Sequence, residues 1–158
     1  MPKKARPSAQ TLLGTLQDGR IKLYLTWNTL TFRRAHEALF RDGDYLPLKV
    51  HGAHAERVCA FARQFGGQTL LVVVPRLLAG IMGEDGHPPV GRPVWGETWV
   101  ELPPERQHDR WRNVLINEMV DTRAIGEVHG LELDQVFATF PYALLLVHSA
   151  NGRDPQEA

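Results

Sequence analysis

The sequence predicts a mainly β fold class: an antiparallel β-sandwich preceded by one long amphipathic helix. Three observations carry the prediction. Residues 69–75 read Thr-Leu-Leu-Val-Val-Val-Pro, and five consecutive apolar side chains leave neither face of an extended segment polar, so the strand must be covered on both sides. Gly66-Gly67 separates it from the alternating run 57–65, and a two-glycine connection between two such runs is a hairpin signal. From Ile21 onward the period changes to that of a helix, with Ile21, Leu25, Asn28, Phe32, Ala35 and Leu39 on one side.

In chain order, residues 1–17 are a disordered or partly ordered lead; up to about Gln10 it is polar, with two prolines. Lys3, Lys4 and Arg6 read as a solvated terminus rather than an interaction tail. The helix is expected over 18–41, with Asp18 as N-cap and Gly43 as stop. Leu23, Trp27 and Leu30 widen its apolar surface beyond one stripe, more than a small β-domain can cover.

The β-domain is expected over 42–150. Residues 45–50 alternate and are interrupted by Pro47, as in an edge strand, and 51–54 turn the chain. After Pro75, residues 76–82 suit a turn or two and 83–93 a loop rich in glycine and proline. Trp95 and 98–102 make a short strand candidate that Pro103-Pro104 stops, 105–110 a polar hairpin loop, and 111–116 another strand. Residues 123–129 form a weaker strand and 133–139 a short helix with Glu132 or Asp134 as N-cap. Residues 142–148 are again nearly all apolar and read as a second buried strand beside the first. Residues 151–158 are a polar tail.

Composition bounds the function. The 158 residues carry 18 basic and 18 acidic side chains, so no net charge steers the chain to nucleic acid. No apolar stretch approaches a membrane span and no signal-peptide core is present, so a soluble cytoplasmic protein is expected. The single cysteine, Cys59, excludes an internal disulfide; its apolar run suggests a buried, inert thiol. Of the seven histidines only His51 and His54 lie close together, without Cys, Asp or Glu at ligand spacing, so neither a metal nor a cofactor is expected. Glu84-Asp85 are neighbours in a loop rather than carboxylates held across a cleft. No nucleophile elbow, Walker loop or dinucleotide fingerprint occurs. Trp95, beside the Gly/Pro loop, is the one candidate for stacking on a sugar ring, against the more ordinary reading of a core tryptophan.

Three blocks then point to a family: Asp18-Gly-Arg-Ile-Lys-Leu-Tyr-Leu-Thr26, Arg33-Arg34, and Phe40-Arg-Asp-Gly-Asp-Tyr-Leu-Pro-Leu48. With Phe61-Ala-Arg63, Val72-Val-Val-Pro-Arg76, Val94-Trp-Gly96, Trp111-Arg-Asn-Val-Leu115 and Phe140-Pro-Tyr-Ala-Leu144, they resemble the end of maltooligosyltrehalose synthases of the α-amylase superfamily. Such enzymes convert the reducing-end α-1,4 linkage of a maltooligosaccharide into the α,α-1,1 linkage of trehalose, an intramolecular transglucosylation. Their catalytic acids sit on a (β/α)₈ barrel; none of those motifs matches here, so no catalytic residue is carried over.

The resemblance implies that 18–41 is the last barrel helix, that 42–150 is an α-amylase-type C-terminal β-sandwich, and that the catalytic barrel is its partner. Relative to the family the chain is truncated and is expected to be inactive alone. The rival expectations are a stand-alone α-glucan-binding module using Trp95 and a structural or interaction domain. If the helix evolved to close a barrel, its uncovered residues also suggest a homodimer through 18–41.

Overall fold

The computed structural model describes residues 8–14, 16–82, 86–107 and 109–148. The start of the expected lead, the Glu84-Asp85 pair and the expected tail lie outside the described residues. A short helix α1 (Ala9–Leu13), with Leu12 buried, falls within the expected lead.

The helix expected over 18–41 is two helices, α2 (Arg20–Ala35) and α3 (Glu37–Arg41), parted at His36, which leaves helical dihedrals at φ −120, ψ 41. Gly19, not Asp18, occupies the N-cap with φ 77, a left-handed conformation that costs glycine nothing. The Asp18 carboxylate instead accepts the Arg20 amide at 3.0 Å from just outside. At the far end a Cβ on Gly43 would stand 2.2 Å from the Leu39 carbonyl oxygen, so the chain can leave α3 only through glycine there.

Among the described residues ten strands follow, all paired antiparallel. They are β1 (Asp44–Pro47), β2 (Val50–His51), β3 (Val58–Phe65), β4 (Gln68–Pro75), β5 (Trp99–Glu101), β6 (Arg110–Asn113), β7 (Glu118–Asp121), β8 (Arg123–Ile125), β9 (Val128–Glu132) and β10 (Ala143–His148). Among the described residues two short α-helices interrupt them, α4 (Arg92–Trp95) and α5 (Leu133–Val136), besides three single turns of 3-10 helix. A six-stranded sheet has the order β1-β3-β4-β10-β6-β7 and a four-stranded sheet the order β2-β5-β9-β8.

The hairpin stands as the glycines implied: Phe65 pairs with Gln68 across Gly66 and Gly67, whose φ values of 57 and 81 match the two left-handed positions of a type I′ turn. The strand expected at 45–50 is divided between the sheets. The Leu48 amide still donates to Ala60 in the six-stranded sheet, whereas the Lys49 carbonyl accepts from Glu101 in the four-stranded one. At 111–116 the extended run ends at Asn113, and the chain turns through Asn117 at φ 60 into the unexpected strand β7. The single strand expected at 123–129 is the hairpin β8–β9, turned at Gly126.

Burial explains why β4 and β10 are apolar on both faces. Leu71 and Val73 of β4, with Ala143 and Leu145 of β10, join Val100, Leu131, Trp95 and Phe137 in the core between the sheets. Leu70 of β4 and Leu144 and Leu146 of β10 point the other way, into a second cluster with Ile21, Leu39 and Phe140 beneath α2 and α3. The two strands are neighbours, as Ala143↔Val73 and Leu146↔Leu70 show. The six-stranded sheet is thus the middle of three layers. Cys59, expected to be buried, is exposed: it shares the helix-facing side of β3, and no β3 side chain belongs to the cluster under the helices.

Candidate functional site

Helix α2 is the one long helix among the described residues, and its two sides differ in kind. Ile21, Tyr24, Leu25 and Phe32 turn toward the second cluster, and the Tyr24 hydroxyl donates to the Leu115 carbonyl. On the opposite side Leu23, Trp27 and Leu30 are 70%, 70% and 56% exposed. Their spacing of four and three residues lays them on a single stripe. They are apolar side chains that the sandwich does not cover.

Lys22, Arg33 and Arg34 stand exposed around this stripe, and α2 contains no Asp or Glu. The nearest carboxylates along the chain are engaged elsewhere. Asp18 binds the Arg20 guanidinium at 2.6 Å, while Glu37 and Asp42 bind Arg41 at 3.0 and 2.9 Å. The Arg20 amide, ahead of its guanidinium, holds the Asp18 carboxyl below the usual carboxylate range, and Arg41 does the same to Asp42. At the end of α2, burial lowers the pKa of His36, whose ring meets Phe32 edge-on at 4.1 Å.

The residue singled out for sugar stacking is elsewhere. Trp95 is 0% exposed, in α4 rather than a strand, with its indole N–H donating to the Pro89 carbonyl at 2.7 Å and its ring 5.3 Å from that of Phe137. Neither face is open to a pyranose. Trp111 is equally buried, its indole N–H 3.2 Å from the Thr122 hydroxyl. Trp99 alone of the three is half-exposed, on the open face of the four-stranded sheet. It stacks on His51 at 4.2 Å, and a Cβ on Gly130 would stand 2.6 Å from one of its ring carbons. Contact across strands fixes this ring; no pattern in the sequence announced it, because His51, Trp99 and Gly130 come from three separate segments.

His51 and His54 do not converge. His51 Nε2 lies 2.7 Å from the Glu101 carboxylate, whereas the His54 ring turns to Trp95. Among the described residues no three His, Cys, Asp or Glu side chains gather as metal ligands. A shallow cleft of about 270 Å³ opens at the rim of the sandwich, lined by Asp109, Arg110, Asp121, Thr122 and His129 among others. Its polar groups largely satisfy one another: Arg110 binds Asp121 at 2.6 Å, and the Thr122 hydroxyl donates to the Asp109 carbonyl at 2.7 Å. No described helix is long and apolar enough to cross a membrane.

What the molecule presents is therefore a mainly β domain with one helical layer and an uncovered helix face. No protein-family model and no curated protein matches the chain. Among solved structures it is similar to a mutant maltooligosyltrehalose synthase from Arthrobacter ramosus, with 24% identity and a TM-score of 0.56, over 93% of this chain and 18% of that one. It is also similar to a noncanonic maltogenic α-amylase from Thermotoga neapolitana over 71% of this chain and 22% of that one, at 15% identity; at a TM-score of 0.46 that likeness carries no weight. The first likeness establishes the fold, which is that of under a fifth of the synthase, and it agrees with the resemblance seen along residues 18–144.

Proposed function

We propose that the chain is the non-catalytic C-terminal β-domain of a cytoplasmic maltooligosyltrehalose synthase-like enzyme, with a structural role beside a catalytic (β/α)₈ barrel. In this reading α2 is the last barrel helix and serves two layers. Its inner side seals the six-stranded sheet, and its outer side receives the barrel.

The observation that carries the reading is the outward stripe of Leu23, Trp27 and Leu30 on a helix whose other side is already packed. Covering each 100 Å² of such surface favours association by about 2.5 kcal/mol before entropy losses. The fold shared with a portion of a much longer synthase supports it. A free-standing α-glucan module has less support, since Trp95 is enclosed. A homodimer through α2 is the remaining use of the same stripe.

The test is a photo-crosslinking amino acid in place of Trp27, expressed in the source organism, with the adduct identified by mass spectrometry. Attachment to a (β/α)₈ barrel, on the same polypeptide or another, is expected. Attachment only to a second copy of α2, or none at all, would overturn the proposal.

A further inference from the structure

The outer side of α2 is not simply apolar. Lys22 and Arg33 are eleven residues apart, three helical turns, and so stand on one line along a flank of the Leu23-Trp27-Leu30 stripe. Arg34, four residues beyond Leu30, continues the stripe itself. None of the three has an ion-pair partner among the described residues, and the three nearest acids are held by Arg20 and Arg41. In a chain with no net charge, this face concentrates unpaired positive charge around an apolar ridge.

We propose that this face binds a protein surface whose apolar groove is bordered by carboxylates, and that it does not pair with a second copy of itself. The inference rests on the reading of α2 as a docking helix and adds the chemistry of what it docks to. Like charge decides against self-pairing. A two-fold arrangement centred near Trp27 would set Lys22 of one copy against Arg33 and Arg34 of the other, with no carboxylate on either helix to intervene. An acidic border opposite the same cations removes that repulsion, speeds encounter and fixes which way the helix lies. The exposed Leu, Trp and Leu side chains supply the affinity, and the cations supply the choice of partner.

The same crosslink tests it. In the Trp27-substituted protein, the triple change Lys22→Glu, Arg33→Glu, Arg34→Glu is expected to lower adduct yield by about tenfold, with circular dichroism and melting unchanged. The neutral triple Lys22→Gln, Arg33→Gln, Arg34→Gln should fall between, and wild-type yield should drop as salt rises. The attached peptide should carry Asp or Glu within a turn of the attachment point. Unchanged yield on charge reversal, an adduct to a second copy of α2, or a phospholipid adduct would overturn the inference. A charge-dependent adduct to a polypeptide that is not a barrel upholds this inference and removes the proposed function; a charge-independent adduct to a barrel does the reverse.

Discussion

The Tyr24 hydroxyl donates to the main-chain carbonyl of Leu115, 91 residues further along the chain, and so ties the first half of α2 to the turn that follows β6. Leu115 is buried, and among the described residues no other side chain donates to its carbonyl. Tyr24→Phe keeps the ring against Phe140 and removes only the hydroxyl. It should lower stability by about 0.5–1.5 kcal/mol, read as a lower urea midpoint at unchanged slope. An unmoved midpoint would mean that the carbonyl is satisfied without Tyr24.

The amides of Leu70–Val73 and Ala143–Leu146 should exchange most slowly, because both faces of these strands are closed and they open only with the whole sheet. Val73→Ala, in the core between the sheets, should cost about 1–3 kcal/mol in chemical unfolding. Fast exchange in either strand would displace the centre of the sheet from where the burial puts it.

Gly130→Ala tests the contact beneath Trp99. The new methyl would meet a ring carbon of Trp99 and the carbonyl oxygen of Val100, each at 2.6 Å. The ring can swing away; the carbonyl cannot move without distorting the ladder between β5 and β9. A loss of about 1–3 kcal/mol and a red shift of tryptophan emission are expected. Full stability with unshifted emission would show that the strands part without cost.

His36 should give the α2–α3 joint a pH dependence. Burial lowers its pKa, so the folded state favours the neutral ring. That contribution is present above the ordinary imidazole value of about 6.5 and is lost as pH falls through the lower folded value. His36→Asn should therefore show a smaller loss of stability than the parent chain between about pH 7 and pH 5, measured by thermal unfolding at each pH. Parallel curves for the two proteins would rule out His36 as the titrating group.

The chain on its own should form no trehalose-capped product from maltohexaose. The resemblance at residues 18–144 includes none of the acidic motifs that the barrel chemistry needs placed together. Turnover that follows the pure protein through every separation would contradict this.

What could be read from the letters was the part of the fold in which local chemistry and burial agree. Residues 70–74 and 143–147 lack a polar side, and the structure covers both sides. Gly66-Gly67 left the hairpin few alternatives. The failures lie where a long-range contact decides. In Glu118–Asp121 the two apolar residues, Met119 and Val120, are adjacent rather than alternating, and the segment is a strand because it pairs with Arg110–Asn113. Gly126 broke the run 123–129 in plain view, but a lone glycine within a strand pattern also fits a bulge. Trp95 is enclosed because Phe137 and Pro89 arrive from other segments, and Cys59 is open because no β3 side chain joins the cluster beneath the helices. Of the candidate site, the apolar excess at Leu23, Trp27 and Leu30 was legible from the helical period. Which of the helix's two apolar sides the sandwich would claim was not, since Tyr24 meets Leu115 only in the fold.

The six-stranded sheet has a consequence for any attempt to cut the molecule into parts. Leu70, Leu144 and Leu146 lie on the side of β4 and β10 that Ile21 and Leu39 close. Cleavage near residue 42 would not release a finished sandwich from a spare helix; it would open a greasy panel across the middle strands, of the kind that pairs with whatever it meets first. A shortened form beginning at β1 should therefore clump or demand a substitute lid, and the helical layer belongs to the same folding unit as the strands it covers.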